Sequence, residues 1–234
     1  MKSKVLTILT NVTLILAVTV VSIVGFYGGN AAAVIYKNTN LYYNGREDGG
    51  NVGLTFNIYE ATDNVYKILD CLDEYGAKAT FFIGGSWADD NVDCVREIYK
   101  RGHELGSHGY FHKDHEKMTV EANLEEIRPS VRLVEMICGN KVELFAPPSG
   151  AFSENTLSAC ASLGLKVIMW SRDTIDWRDK DVSVVVKRAT ENLKAGEFIL
   201  MHPKDWTVQA LPQILEYVRN GGLTAATVSQ CIGE

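Results

Sequence analysis

From Val52 onward, short apolar segments alternate with amphipathic helical patterns, and this alternation limits the possible folds more than any other feature of the chain. Strands alternating with helices form right-handed βαβ units around a mainly parallel sheet, either as a barrel or as a doubly wound sheet. Strands are predicted at 52–56, 79–84, 104–106, 144–145, 166–170 and 198–201, and helices at 64–75, 93–101, 119–137, 154–163, 182–193 and 211–220.

The positions of candidate catalytic and metal-binding side chains favour the barrel over the doubly wound sheet. The first strand is followed by neither GxGxxG nor GxxxxGK[ST], the motifs that indicate a nucleotide-binding doubly wound sheet. Such side chains instead follow five of the predicted strands: Asn57 and Glu60, His108 and His112, Pro147 to Gly150, Asp173 and Asp176, and His202. Residues at many strand ends converge on the mouth of a barrel, so the sequence predicts an α/β barrel with a site at its mouth.

The N-terminal segment has a different character. Residues 5–36 carry no charged side chain, and the apolar stretch 5–26 follows Lys2 and Lys4. About 20 apolar residues are enough to cross a bilayer, so residues 1–36 are predicted to form a signal anchor that holds a single-pass protein at the cell membrane. The lysines would stay inside and the domain would lie outside. Cleavage near Ala33, giving a secreted protein, is the alternative.

Residues 37–51 are predicted as a linker or a loop leading into the domain, and residues 52–234 as the domain itself. The 234-residue chain has a net charge of −6 and no basic patch, which excludes a nucleic-acid partner. Its five cysteines form no CxxC pair, which argues against a cysteine-based metal site. They are predicted to be small buried residues, and no disulfide is assigned.

Five segments resemble, in order, the motifs of the NodB-like polysaccharide deacetylases, also called carbohydrate esterase family four. They are Thr55–Ile58, Ser107–His112, Ala146–Gly150, Asp173–Trp177 and Leu200–His202. The resemblance covers roughly residues 52–229. It implies a distorted (β/α) barrel and hydrolysis of an N-acetyl group on an amino sugar through a divalent metal, usually zinc, with cobalt or another divalent ion as the alternative.

The resemblance also implies residue roles. His108 and His112 would bind the metal, His202 would be the general acid, and Asp173 would hydrogen-bond the imidazole of His202.

Five further residues would contact the substrate. Trp177 and Leu200 would form an apolar pocket for the acetyl methyl group, and backbone N–H groups near Pro148 and Ser149 would face the oxyanion. Tyr59 would stack on a sugar ring.

Three positions depart from the family pattern: Asn57 replaces the catalytic-base Asp, Ile58 the metal-ligand Asp, and Ala146 the Arg that orients the base. An amide does not accept a proton near neutral pH, and isoleucine offers a metal no ligand. Glu60 is a candidate substitute base, and Asp114 and His115 are further candidates to complete the site.

Three functions remain open from the sequence. The first is an anchored metal-dependent deacetylase acting on cell-wall glycan, with peptidoglycan as the substrate because a short tether limits its reach. The second is a catalytically impaired domain that keeps the groove and only binds cell-wall glycan. The third is a membrane-tethered structural or assembly protein that uses the fold for protein contacts.

Overall fold

The computed structural model describes residues 40–234. Its nine strands are β1 (Leu41–Tyr42), β2 (Asn51–Ile58), β3 (Thr80–Ile83), β4 (Glu104–Ser107), β5 (Leu144–Phe145), β6 (Lys166–Ile168), β7 (Arg172–Asp173), β8 (Phe198–Met201) and β9 (Thr224–Ala226). The α-helices of this region are α1 (Thr62–Glu74), α2 (Gly85–Asp90), α3 (Val92–Lys100), α4 (Val120–Cys138), α5 (Glu154–Ser162), α6 (Val182–Thr190), α7 (Asp205–Asn220) and α8 (Val228–Ile232).

All strand pairings in this sheet are parallel, as the βα alternation predicts. The strand order is β1-β6-β5-β4-β3-β2-β8-β7, with β9 paired to β2. Because β1 and β7 lie at opposite ends of this order, the sheet is a curled, open half-barrel. The carboxyl ends of its strands share one edge, where the predicted site residues lie.

The two faces of the sheet carry separate apolar clusters. In β2, Val52, Leu54, Phe56 and Ile58 are fully buried in the cluster between sheet and helices. Successive residues of a strand point to opposite faces, which places Asn57 on the concave face. That face is filled by a second cluster that includes Phe82, Leu144, Ile168 and Phe198.

Local sequence sets the ends of the longest helix. The side chain of Thr119 accepts a hydrogen bond from the backbone N–H of Ala122 and caps the start of α4. Gly139 ends the helix in a left-handed conformation, with φ 68°, which glycine adopts at little steric cost. The predicted helix at 119–137 is therefore confirmed almost to the residue.

The segment 40–51 differs from the predicted linker because it is part of the folded domain. Leu41 and Tyr42 pair with Val167 and Ile168, and Gly45 N–H donates to the carbonyl of Gly196 at 2.7 Å. These contacts come from residues more than a hundred positions away, which a local composition rich in Asn, Gly and Tyr does not reveal.

No α-helix within residues 40–234 is long and apolar enough to cross a membrane. The anchor predicted at residues 1–36 lies outside the described residues. All five cysteines are free, and Cys94, Cys160 and Cys231 are buried as predicted, whereas Cys71 and Cys138 are half-buried.

Candidate functional site

A cavity of about 490 Å³ opens at the carboxyl edge of the sheet. It brings together ten of the eleven predicted site residues; the eleventh, Pro148, is considered below. The cavity is lined by Asn57, Tyr59, Glu60, His108, His112, Ser149, Trp170, Asp173, Trp177, Leu200, His202 and Lys204. The convergence expected from the strand ends is therefore present.

The end of β2 contributes Asn57 to the cavity but not Ile58. The side-chain oxygen of Asn57 is buried and has no hydrogen-bond partner. Ile58 is fully buried in the apolar cluster between sheet and helices, on the opposite face of the strand. The cavity thus has a neutral amide where the family has its base, and no side chain replaces the missing metal carboxylate.

The rings of His108 and His112 lie next to each other in the lining of the cavity, edge to face, with centroids 5.1 Å apart. His108 is 2% exposed, and its Nδ1 lies 2.8 Å from the carbonyl oxygen of Ala146. That contact places the hydrogen on Nδ1 and leaves Nε2 with its lone pair. Burial, together with the neighbouring His112, lowers the pKa of His108 to about 3, so the ring is neutral at physiological pH.

Tyr59 positions the loop that carries His112. Its ring lies against Gly84, where an added Cβ would come within 2.0 Å of the ring, so only glycine fits there. The Tyr59 hydroxyl donates to the carbonyl oxygen of Tyr110. The buried carboxylate of Glu126 accepts from the N–H of Phe111. Both contacts precede His112, whose own φ of 55° is in the left-handed region.

The partner of His202 is Asp176, and the predicted Asp173 pairing is wrong. Asp176 is fully buried, and its carboxylate accepts from His202 Nδ1 at 2.7 Å and from His202 N–H at 2.7 Å. The hydroxyl of Thr207 donates to the same carboxylate at 2.6 Å. Asp173 lines the cavity, and its carboxylate accepts from the N–H of Ile175 at 2.8 Å. Asp176 therefore fixes the imidazole with its hydrogen on Nδ1 and its Nε2 free.

Glu60, the candidate substitute base, is held at the rim of the cavity. Its side chain is 57% exposed and forms an ion pair with the ammonium group of Lys204. The ion pair at the exposed rim engages the carboxylate, so this arrangement does not aim Glu60 into the cavity as a base.

His115 does not complete the site. It is fully buried, its Nδ1 contacts the side-chain oxygen of Asn123 at 2.6 Å, and it does not line the cavity. Asp114 caps the short helical turn by accepting from the N–H of Glu116 at 3.0 Å. Both residues stabilise the loop after His112, and neither supplies a ligand.

The remaining predicted contacts form the walls of the cavity. Leu200 is 4% exposed at the floor, and Trp177 is 54% exposed at the rim. Ser149 lines the cavity in a left-handed conformation with φ 55°, whereas Pro148 is buried and does not reach it. The cavity therefore offers an apolar floor and an exposed aromatic face, a combination suited to a sugar ring.

The donor set does not fit the metal that the resemblance implies. Within residues 40–234, no three His, Cys, Asp or Glu side chains are arranged to hold a metal ion together. Protein metal sites for zinc usually use three or four such ligands, and here only His108 and His112 remain. The unpartnered oxygen of Asn57 is a weak substitute for a carboxylate.

Sequence reasoning missed Trp170 and Lys204 as lining residues. Trp170 lies two residues past the end of β6, so the strand-end rule that identified the other residues applied to it as well. Lys204 lies two residues past His202, and no sequence pattern singled it out.

Comparison with known proteins agrees with this geometry. Residues 44–168 match the family described as polysaccharide deacetylase. The chain is 33% identical over 192 residues to the Bacillus subtilis protein YlxY, covering 82% of this chain and 60% of YlxY. It is 29% identical to a peptidoglycan-N-acetylglucosamine deacetylase of Bacillus cereus, covering 77% of this chain and 87% of that protein.

Among solved structures, the chain resembles BA3943 of Bacillus anthracis, described as a pseudoenzyme of carbohydrate esterase family four. The TM-score is 0.80 at 28% identity, covering 83% of this chain and 69% of that one. A mutant of BA3943, described as having restored enzymatic activity, matches with a TM-score of 0.80 at 27% identity.

Proposed function

We propose that this chain, which belongs to the polysaccharide deacetylase family, binds N-acetylated cell-wall glycan and is impaired in its hydrolysis. The observation that carries the proposal is the burial of Ile58. Because this side chain is fully buried among apolar residues on the face away from the cavity, the missing metal carboxylate is not replaced from the same strand. The neutral Asn57 beside it removes the base from the same cavity.

The cavity keeps what binding requires. Its volume of about 490 Å³ accommodates one to two sugar units of a chain that enters past the rim. Trp177 at the rim and Tyr59 within the cavity supply aromatic faces, while the rings of His108 and His202 supply hydrogen-bonding nitrogens. These features recognise a neutral, acetylated sugar without an ion.

The glycan and the location belong to the same proposal. Peptidoglycan is the favoured ligand because the names of several relatives specify peptidoglycan deacetylases. Residues 1–36, with their uncharged apolar stretch, would anchor the domain on the outer side of the cell membrane.

A second candidate function is metal-dependent deacetylation. The pairing of His202 with Asp176 favours it, because this geometry would let a protonated His202 deliver a proton to a departing amine. Glu60 would have to leave Lys204 to act as the base.

One experiment separates the two functions. The full-length chain, purified in mild detergent, is mixed with purified peptidoglycan, and both co-sedimentation and released acetate are measured with zinc or cobalt added. We expect co-sedimentation without acetate. Trp177→Ala should weaken co-sedimentation. Tyr217→Ala is the matched control: it removes a half-exposed aromatic ring on α7, away from the cavity, and should leave co-sedimentation unchanged.

Acetate release that His108→Ala abolishes would establish the second function in place of the first. If neither co-sedimentation nor acetate release is observed, both functions are rejected.

A further inference from the structure

A second cavity, of about 300 Å³, lies at the amino ends of the strands. The four residues of β4 separate it from the first site, since His103 precedes the strand and His108 follows it. The cavity is lined by Tyr99, Gly102, His103, Glu104, Leu105, Val134, Cys138, Asn140, Lys141, Val142, Glu143, Leu144, Thr227 and Ser229. None of these residues takes part in the proposed function.

His103 is the unusual member of this lining. It is 3% exposed, and neither of its ring nitrogens has a hydrogen-bond partner. Its ring packs edge-on against Phe81, with centroids 5.3 Å apart, so one face of the imidazole is fixed by the core. Buried polar groups are nearly always hydrogen-bonded, so a donor and an acceptor without protein partners at a cavity wall are available to a molecule that enters the cavity.

The charged side chains around the cavity already have hydrogen-bond partners within the protein. Lys78 donates to the carbonyl oxygen of Arg101 at 2.6 Å, and Arg101 pairs with three acidic side chains. Glu104 accepts from the hydroxyl of Thr80 and the N–H of Ser229, and Glu143 pairs with Lys141 at 2.5 Å. The hydrogen-bonding atoms of these charged groups are thus engaged within the protein, and charges of both signs lie near the cavity, so its surroundings do not favour an ion of one sign.

The rest of the lining combines apolar and hydrogen-bonding groups. Leu105, Val134 and Leu144 are aliphatic, Tyr99 adds a partly exposed aromatic ring, and Asn140 adds an amide. Burial lowers the pKa of His103 to about 4, so near neutral pH the ring offers one donor and one acceptor. A molecule with several hydroxyl groups and an apolar ring face matches both kinds of wall.

We propose that this second cavity binds a neutral, hydroxyl-bearing molecule of the size of one sugar ring, with separate hydroxyl groups paired to the two ring nitrogens of His103. The carbon–hydrogen face of the ring would pack on the aliphatic side chains and on Tyr99. The site is independent of the proposed function, because it lies at the other end of the sheet.

Nitrogen-15 NMR of the imidazole rings in the full-length chain tests this proposal, with the His103 signals identified by their loss in His103→Leu. The probes are glucose and N-acetylglucosamine, which are neutral, with glucosamine as a cation and glucuronate as an anion. We expect the neutral sugars to shift both His103 nitrogens saturably and the charged sugars to do so more weakly. No shift, or equal shifts with all four probes, would overturn the proposal.

Variants separate this cavity from the first site. Tyr99→Ala should weaken the neutral-sugar response severalfold, whereas Tyr217→Ala, a matched exposed tyrosine, should not. Trp177→Ala alters only the first cavity, so the His103 response should persist in it even if peptidoglycan binding is lost. A His103 response that disappears in Trp177→Ala would overturn the assignment of a separate site.

Discussion

The buried, unpartnered His103 should contribute to the acid sensitivity of the protein, and His103→Leu should remove that contribution. Burial lowers the pKa of this imidazole from 6.5 to about 4, so the folded state favours the neutral ring. The unfolded state takes up the proton first as pH falls. The contribution of His103 to stability is therefore complete above about pH 6.5 and is lost between that pH and about 4.

The size of the effect follows from the shift. A difference of about 2.5 pKa units at ~1.36 kcal/mol per unit gives a limit of about 3.4 kcal/mol, of which about 2 kcal/mol is lost between pH 7 and pH 5. At pH 7 the substitution removes no hydrogen bond, because neither ring nitrogen has a partner. The variant should therefore be about as stable as the original protein at pH 7 and more stable than it at pH 5.

Urea unfolding at pH 7 and pH 5, followed by the fluorescence of the four tryptophans, measures both free energies of unfolding. His103→Phe is the matched control, because it also cannot titrate but fills the space differently against Phe81. Between pH 7 and pH 5, the free energy of unfolding should fall by about 2 kcal/mol less in both variants than in the original protein. Equal losses in all three proteins would refute the reasoning.

Three other outcomes are expected. Ile58→Asp should lower the free energy of unfolding by at least ~3 kcal/mol in urea titrations, because it places a carboxylate in the apolar cluster, whereas its neighbour Asn57→Asp, on the cavity face, should cost much less. In the same titrations, Asp176→Asn should lower the free energy of unfolding by about 2–4 kcal/mol, since the Asp176 carboxylate accepts three hydrogen bonds. Asp173→Asn should lower it by less than about 1 kcal/mol. Equal losses in the two variants would contradict Asp176 as the partner of His202. A thiol reagent should label Cys94, Cys160 and Cys231 only after unfolding, because these thiols are buried and burial raises their pKa; fewer than five labelled thiols under non-reducing denaturation would reveal a disulfide.

The longer elements were predictable because their signals are local. Helices α1 and α4 show apolar residues at helical spacing, and β2 and β8 are apolar runs between polar segments. The two-residue strand β1 has no such signal, because its pairing with β6 depends on a segment far along the chain. Short edge strands of this kind gain their stability from tertiary contacts.

The backbone conformation explains why Asp176, and not the predicted Asp173, is the partner of His202. Ile175, between them, has φ 53°, a conformation that β-branched residues rarely adopt. The resulting turn directs Asp176 inward, where Thr207 of α7 also reaches it. A sequence with two carboxylates three residues apart does not show which of them faces the barrel.

The docking of residues 40–51 onto the domain changes how far the protein would extend from a membrane. If residues 1–36 form the proposed anchor, residues 40–51 do not serve as a flexible tether, because they are part of the folded domain. The greatest distance between the membrane and the domain is then shorter by roughly 40 Å, the length of twelve fully extended residues. The domain would then rest close to the lipid headgroups and meet glycan strands only as they emerge there. In that arrangement the proposed glycan ligand would be the part of the wall nearest the membrane.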